Sequence, residues 1–265
     1  MDKINSVQLP NIINSILWDY ASTCGVEPFN GKVIVADNMA DSYKKVRNDL
    51  VEEGKTNIDE LNNYHGLAVQ PLENNGEFTI LINKEYVLET VTKHNVDWIG
   101  TLVHEATHVN DFKDYFKIIH PKSYDDLYEY DLHRIFLYWT EFHARAIGHY
   151  FLRKYTLENF KDISHIDHIL STELPYHINY LVQEVGATQD PDRQMYVIAH
   201  FLGRIAVWQY LYPETFNSDF ICELTNSNPW IKDLYDVFVN YKSLDEIYPH
   251  FDKVEEIIMN HYYGN

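Results

Sequence analysis

The pattern of apolar and polar positions changes near residue 90. Before this point, short apolar runs alternate with amphipathic segments, which predicts strands interspersed with helices. We expect a helix at 12–20, a short buried strand at 32–36 (KVIVA) and an exposed helix at 41–53. Beyond it, apolar residues recur almost throughout at helical spacing.

Two further strands are predicted at 65–70 and 78–83. The spacer between them contains Asn75-Gly76, and this dipeptide tolerates the positive φ angles of tight hairpin turns. The two segments are therefore expected to form a hairpin. The second strand is a candidate to pair with an extended substrate by edge addition, and an interior position is the alternative.

Long helices dominate the rest of the chain. Asn95 or Asp97 can cap a helix that runs to about Asp111, and a second long helix is predicted at 125–154. Further helices are predicted at residues 166–185, 192–211, 230–241 and 251–260.

These elements predict an α+β fold in two parts. Residues 1–92 form a small mixed α/β part with a short sheet, and residues 93–265 form a mostly helical part. We expect the two parts to make one compact catalytic unit with the active-site cleft between them.

The helix after residue 95 carries the string His104-Glu105-Ala106-Thr107-His108. At 3.6 residues per turn, His104 and His108 project from one face, so both imidazoles can reach a Zn²⁺ at ~2.0–2.1 Å. Glu105 is adjacent without being a ligand, and it can take a proton from a water activated by the metal. HExxH therefore predicts a catalytic zinc site, and two surface histidines on a helix are the alternative.

Zinc needs a third protein ligand, and three residues are candidates. Asp114 has the spacing of the short zincin arrangement, but that arrangement needs a chain-turning glycine where this chain has Asp111. Glu141 and His143 both lie on the second long helix, on different faces.

We favour Glu141 among the three. The small residues Ala144 and Gly148 share its face of the helix, and they would let this helix approach the motif helix closely. The competing interpretation is an i,i+4 ion pair between Glu141 and Arg145.

HExxH followed by a glutamate on a later helix resembles the gluzincin class of thermolysin-like zinc metallopeptidases. The resemblance covers roughly residues 30 to 150 and implies a zincin-like fold. By position it implies that His104, His108 and Glu141 bind Zn²⁺ and that Glu105 is the base. The chain departs from the class at Arg145, where an aspartate usually supports a zinc histidine; Asp111 is a candidate for that support.

Other polar residues give weaker signals. The class places an extra hydrogen-bond donor near the developing oxyanion, and no motif selects one among the candidates His149, Tyr196, His200 and Arg204. His165 and His168 can be read as a metal pair or as an exposed helix face. Asp125, Asp126 and Glu129 can be read as a Ca²⁺ site or as an acidic helix start, and their spacing is not that of an EF-hand.

The amino-acid composition restricts the classes of molecule that the protein is expected to bind. The chain has 21 Lys and Arg against 40 Asp and Glu, a net charge of −19, which disfavours nucleic acid and anionic membranes. With 45% hydrophobic residues the chain can build a core. Cys24 and Cys222 fit no zinc pattern and are expected to be reduced. The N-terminal residues show no apolar signal core, which predicts a cytoplasmic protein unless it is released by another route.

The sequence therefore predicts a soluble zinc metallopeptidase acting on a peptide or protein substrate. The alternatives are a non-catalytic zincin-like binding module and a structural zinc site closed by a fourth ligand such as His143. The oligomeric state is left open.

Overall fold

The structure is a computed structural model that describes residues 8–93, 95–159, 166–225 and 228–264. It is mostly helical with one small mixed sheet, so the predicted α+β class is confirmed, with helices dominant. None of the helices in these ranges is long and apolar enough to cross a membrane.

The first part of the chain supplies the sheet. Its elements are α1 (Leu9–Cys24), β1 (Lys32–Ala36), α2 (Met39–Glu52), α3 (Ile58–Leu61), β2 (Gly66–Val69), β3 (Thr79–Asn83) and α4 (Lys84–Thr92). The predicted strands are present, and the predicted helices at 12–20 and 41–53 correspond to α1 and α2.

The second part is helical. Its longer helices are α5 (Asp97–Ile119), α6 (His133–Asn159), α8 (Leu174–Ala187), α9 (Pro191–Leu211), α11 (Pro229–Asn240) and α13 (Phe251–Tyr263). The shorter ones are α7 (Ile166–His168), a π-helical turn at Ile169–Glu173, α10 (Ser218–Leu224) and α12 (Leu244–Ile247). Two 3₁₀ turns, Asp125–Glu129 and Tyr248–His250, complete the set.

The strand order is β1-β3-β2, so β3 is the central strand. It pairs in parallel with β1 and antiparallel with β2. The predicted hairpin is therefore present, although its turn differs from the expectation. The Gly76 amide donates to the Glu73 carbonyl at 2.8 Å, but Gly76 does not adopt a positive φ. Glycine is needed there for space, because a Cβ would lie 2.7 Å from Pro71 Cβ.

Alternate residues of β3 face two different apolar clusters, as the two-residue repeat of a strand requires. Ile80 and Ile82 join the main core, which also contains residues of α1, α5, α6 and α9. Leu81 faces a smaller cluster that includes Met39 and Tyr43 of α2. The main core thus contains residues from both parts of the chain.

The motif helix α5 is longer than expected. The predicted cap by Asn95 or Asp97 is wrong, because the N-cap residue is Val96 and no side chain caps the helix; the Asn95 side chain accepts a hydrogen bond only from the Asp97 amide, at 3.1 Å. The helix continues past Asp111 to Ile119 and ends at His120, whose φ is 54°. The absence of a glycine at 111 fits this continuation.

The predicted start of the second long helix, at residue 125, is wrong. Residues Asp125–Glu129 form a separate 3₁₀ turn, and α6 begins at His133. Tyr130 adopts an extended backbone conformation (φ −87°, ψ 133°) that separates the turn from α6, and Asp125 Oδ2 in the turn accepts from Arg47 Nη2 of α2 at 2.7 Å.

Glycines bring α6 close to both of its neighbours. A Cβ on Gly148 would lie 2.6 Å from the Gly100 carbonyl oxygen of α5 and 3.0 Å from His104 Cβ. A Cβ on Gly203 of α9 would lie 2.7 Å from the Phe142 carbonyl oxygen of α6. α6 therefore packs closely against α5 at the level of His104 and against α9 at the level of Phe142.

Candidate metal centre

The two motif histidines are buried and face each other. His104 and His108 lie one turn apart on α5, with 6% and 7% of their surface exposed. Their Nε2 atoms are 3.0 Å apart. The i,i+4 spacing places both rings on one face of the helix, where α6 covers them.

Glu141 of α6 completes a compact group with these histidines. Its Oε1 lies 3.5 Å from His108 Nε2, and its Oε2 lies 3.7 Å from His104 Nε2. The Glu141 side chain is 23% exposed, more than either histidine, so solvent reaches the group from this side. The close approach of α6 at Gly148 makes this meeting possible.

The orientation of His108 is fixed by a chain of hydrogen bonds. The Thr140 hydroxyl donates to Asp111 Oδ2 at 2.7 Å, so its oxygen is left to accept from His108 Nδ1–H at 3.0 Å. A neutral His108 then carries its lone pair on Nε2. Asp111 thus supports His108 through Thr140, as expected of a residue behind a ligand histidine. His104 lacks such support, since its Nδ1 is buried without a partner among the described residues.

His108 Nε2 faces two other atoms of metal-ligand type. His104 Nε2 and Glu141 Oε1 both lie within 3.5 Å of it. Such a group is held together either by a hydrogen on one of the ring nitrogens or by a metal ion that all three atoms bind. Tetrahedral zinc ligands at ~2.0–2.1 Å from the ion are ~3.3 Å from one another, close to the spacings found here. The donor set therefore fits zinc.

His200 of α9 also reaches Glu141, in a different role. Arg145 Nη2 lies 3.1 Å from His200 Nδ1, and a guanidinium can only donate, so Nδ1 is the acceptor. The hydrogen of the neutral ring is then on Nε2, which donates to Glu141 Oε2 at 2.7 Å. His200 is thereby a support for the Glu141 carboxylate.

His104, Glu141 and His200 also qualify as a possible ligand group, with ligand atoms within 4.8 Å of one another. His200 cannot serve as an Nε2 ligand while its Nδ1 accepts from Arg145, because a neutral ring has only one free lone pair. We therefore take His104, His108 and Glu141 as the candidate ligands, with contacts of 3.0–3.7 Å between them.

The Glu105 carboxylate contacts the sheet and lies close enough to His108 and Glu141 to interact with their charges. Its Oε2 accepts from the Ala68 amide of β2 at 2.8 Å. A Cβ on Gly66 would lie 2.9 Å from Glu105 Cγ and Oε1, so glycine leaves the space that the carboxylate occupies. Burial, together with the nearby Glu141 charge, raises the pKa of Glu105 to about 7. A carboxylate with this pKa is suited to accept and release a proton near neutral pH.

The charges of the group are strongly coupled. Burial opposes the charge on His108, but the carboxylates of Glu141, Glu105 and Asp111 outweigh it and raise its pKa to about 9. Burial and the neighbouring His108 lower the pKa of His104 well below its ordinary value. Burial opposes ionisation of Glu141 too, yet His108 and His200 hold its pKa well below the usual range. These directions describe a site that favours one added positive charge.

The other two candidates for third ligand lie elsewhere. Asp114 Oδ1 pairs with Lys117 at 2.9 Å, and its side chain is 50% exposed. His143 Nδ1 donates to Asp111 at 3.0 Å, and its ring stacks on Trp139. Neither side chain is in the group with His104 and His108.

The other polar residues singled out in the sequence do not form a second metal site among the described residues. The Tyr196 ring lies 4.2 Å from that of His200, near the group, whereas His149 packs edge-on against Trp208. His168 is 44% exposed and lies 3.6 Å from Glu173, while His165 lies outside the described residues. Asp125 is occupied by Arg47, which removes it from the Ca²⁺ interpretation.

Of the two positions considered for residues 78–83, the edge and the interior, the structure shows the interior one, because β3 is paired on both sides. The free edge nearest the motif helix belongs to β2, where the Ala68 amide is already bonded to Glu105. No local pattern along the chain indicates this strand order, because the order depends on long-range pairing.

Comparisons with protein-family models, with curated proteins and with solved structures returned no significant match.

Proposed function

We propose that the protein is a zinc-dependent metallopeptidase that hydrolyses peptide bonds, with Glu105 as the general base. The observation that supports it most is the convergence of His104 Nε2, His108 Nε2 and the Glu141 carboxylate within 3.0–3.7 Å. HExxH supplies a base next to such a ligand set, which a site that only binds metal does not need.

His104, His108 and Glu141 would hold the ion. A bound zinc supplies a Lewis acid that lowers the pKa of a water ligand to about 7 and polarises a carbonyl. Three protein ligands leave one position open, which is the arrangement of catalytic zinc sites.

Glu105 would accept the proton of the attacking water and later pass it to the leaving amine. Burial raises the pKa of its carboxyl group, which strengthens its affinity for the proton. The Ala68 amide holds one carboxylate oxygen, so the direction in which the other points is restricted. His200 would keep Glu141 oriented through the 2.7 Å hydrogen bond to Oε2.

A structural zinc site closed by His200 is the second candidate, because His200 Nε2 lies close to the ligand group. Arg145 opposes it by fixing the His200 hydrogen on Nε2. The two functions differ in what His200→Ala does. A supporting role predicts retained zinc with weakened affinity, whereas a fourth-ligand role predicts that the ion is lost.

The test of the peptidase is Glu105→Gln with zinc content and hydrolysis measured together. Casein and a defined peptide pool are the substrates, and Glu85→Gln, at an exposed position of α4, is the matched control. We expect Glu105→Gln to retain zinc and to lose about 10²–10⁴-fold in turnover, while Glu85→Gln matches wild type. Unchanged hydrolysis by Glu105→Gln would contradict the mechanism. Zinc-loaded wild type that cleaves nothing in the pool would favour the structural site.

A further inference from the structure

Two arginines beside the candidate metal centre have no carboxylate partner. Arg145 of α6 and Arg204 of α9 form no ion pair with any described carboxylate. Arg145 Nη2 is bonded to His200 Nδ1, and Arg204 Nη1 donates to the His200 backbone carbonyl at 3.1 Å. Arg145 Nε is buried without a hydrogen-bond partner in the described ranges.

The other arginines of the chain are paired. Arg193 lies 2.8 Å from Glu184, and Arg47 lies 2.7 Å from Asp125. Arg134 pairs with Asp192, and Arg153 pairs with Glu173. With 40 acidic residues against 21 basic ones, carboxylates are plentiful. Two neighbouring guanidiniums without one are therefore unusual in this chain.

The two guanidiniums also act on each other. Burial, and then the charge of Arg145, lower the pKa of Arg204 to about 9. The phenol groups of Tyr180, Tyr196 and Tyr176 offset part of this effect. Paired burial of like charges is costly unless an anion joins them, and a carboxylate matches the planar donor fork of arginine.

The two arginines lie beside the candidate metal centre. Arg145 is separated from the Glu141 carboxylate by the single imidazole ring of His200. An extended peptide advances ~3.5 Å per residue. A carboxylate one or two residues from the scissile bond therefore falls within reach of a guanidinium at this position. The exposed Tyr176 and Tyr180 border the same region.

We propose that Arg145 and Arg204 bind a carboxylate of the peptide substrate, which would make this a peptidase for substrates negatively charged close to the cleaved bond. The identification of the ligand as a peptide substrate rests on the proposed function. The binding of a carboxylate needs only the two arginines. A free C-terminal carboxylate and an acidic side chain are the two sources.

The test uses the zinc-loaded Glu105→Gln protein, in which hydrolysis is blocked. Calorimetric titration compares three probes: acetyl-Phe-Ala-Phe as free acid, the same peptide as C-terminal amide, and acetyl-Phe-Ala-Asp amide. We expect one of the two acidic probes to bind at least about tenfold more tightly than the neutral amide, since hydrogen bonds to charged groups are the strong ones. Which acid binds identifies the source.

Arginine variants show which side chains cause the preference for acidic probes. Arg204→Gln and Arg145→Gln should remove the preference, whereas Arg193→Gln, on the same helix as Arg204, should keep it. Arg204→Lys retains the charge and should keep part of the preference, which covers the case in which Arg204→Gln does not fold. Equal binding of acids and amide, no binding of any probe, or a preference unchanged in both glutamine variants would overturn the proposal.

A repeat of the titration after zinc removal separates the two proposals. The preference for the carboxylate should persist without metal if the arginines bind it. If the protein binds no zinc but still binds an acidic probe more tightly than the amide, the peptidase proposal is contradicted. The proposal that the arginines bind a carboxylate is then still supported.

Discussion

Buried charges near Arg47 and near Arg145 are neutralised in different ways. Arg47 is 1% exposed, and Asp49 and Asp125 bind its Nη2 at 2.8 and 2.7 Å. Around Arg145, by contrast, neither guanidinium of the pair Arg145 and Arg204 forms an ion pair with a described carboxylate, and His104, His108 and Glu141 converge on the other side of His200. The first cluster pairs its charges within the chain. The second places two cationic side chains beside a set of metal-ligand groups, which is the property of a binding site.

Breaking the cluster of Arg47, Asp49 and Asp125 should lower the stability of the fold without changing metal binding. Arg47→Met removes the partner of two carboxylates that are 30% and 35% exposed, so they can rehydrate partly. We expect a loss of about 2–3 kcal/mol in the free energy of unfolding, with zinc affinity unchanged. Urea denaturation and metal titration measure the two quantities. A loss of zinc binding would show that the clusters are coupled.

The same variant has a pH signature. The Arg47 hydrogen bond lowers the pKa of Asp49 below its ordinary 3.8. A depressed folded-state pKa contributes stability that is present above about pH 4 and lost as pH falls through the lowered value. The stability difference between wild type and Arg47→Met should therefore shrink below pH 4. A difference that grows there would contradict this assignment.

Widening the contact between α5 and α6 should weaken metal binding by His104, His108 and Glu141. The Cβ of Gly148→Ala would collide with the Gly100 carbonyl oxygen and crowd His104. We expect about 2 kcal/mol of destabilisation, accompanied by weaker zinc binding. Gly186→Ala is the matched control, because a Cβ there meets nothing within 4 Å. It should gain a few tenths to ~1 kcal/mol from helix propensity and leave zinc binding unaltered.

A smaller effect is expected from the support of His108. Thr140→Val removes the hydroxyl between His108 and Asp111 while preserving shape. Zinc affinity should fall about tenfold, as for other residues that orient a ligand histidine. Thr156→Val, on the same helix and bonded only to the Leu152 carbonyl, is the control. Equal affinity in both variants would remove Thr140 from the site.

The local features of the site could be read from the sequence. HExxH spacing fixes which face carries the two histidines, and the small residues Ala144 and Gly148 correctly indicated the face on which α6 approaches α5. Strand periodicity located β1, β2 and β3 to within one or two residues. Each of these depends on neighbours a few positions apart.

The features that the sequence did not reveal depend on distant partners. His200 is 59 residues from Glu141, and no motif links them. The central place of β3 depends on which strands pair, and the break before α6 accompanies the contact between Arg47 and Asp125. The lack of partners for Arg145 and Arg204 is visible only when the surroundings of every arginine are known.

The most direct test of the central claim is zinc affinity by competition with a chelator of known affinity at fixed pH, since protonation of the ligands shifts apparent values. Wild type should bind about one zinc per chain. Glu141→Ala should lose more than about 100-fold in affinity, while Asp114→Ala and His143→Ala stay near wild type. A folded wild type that binds no zinc, or a Glu141→Ala protein that keeps the ion while Asp114→Ala loses it, would contradict the assignment of His104, His108 and Glu141 as the ligands.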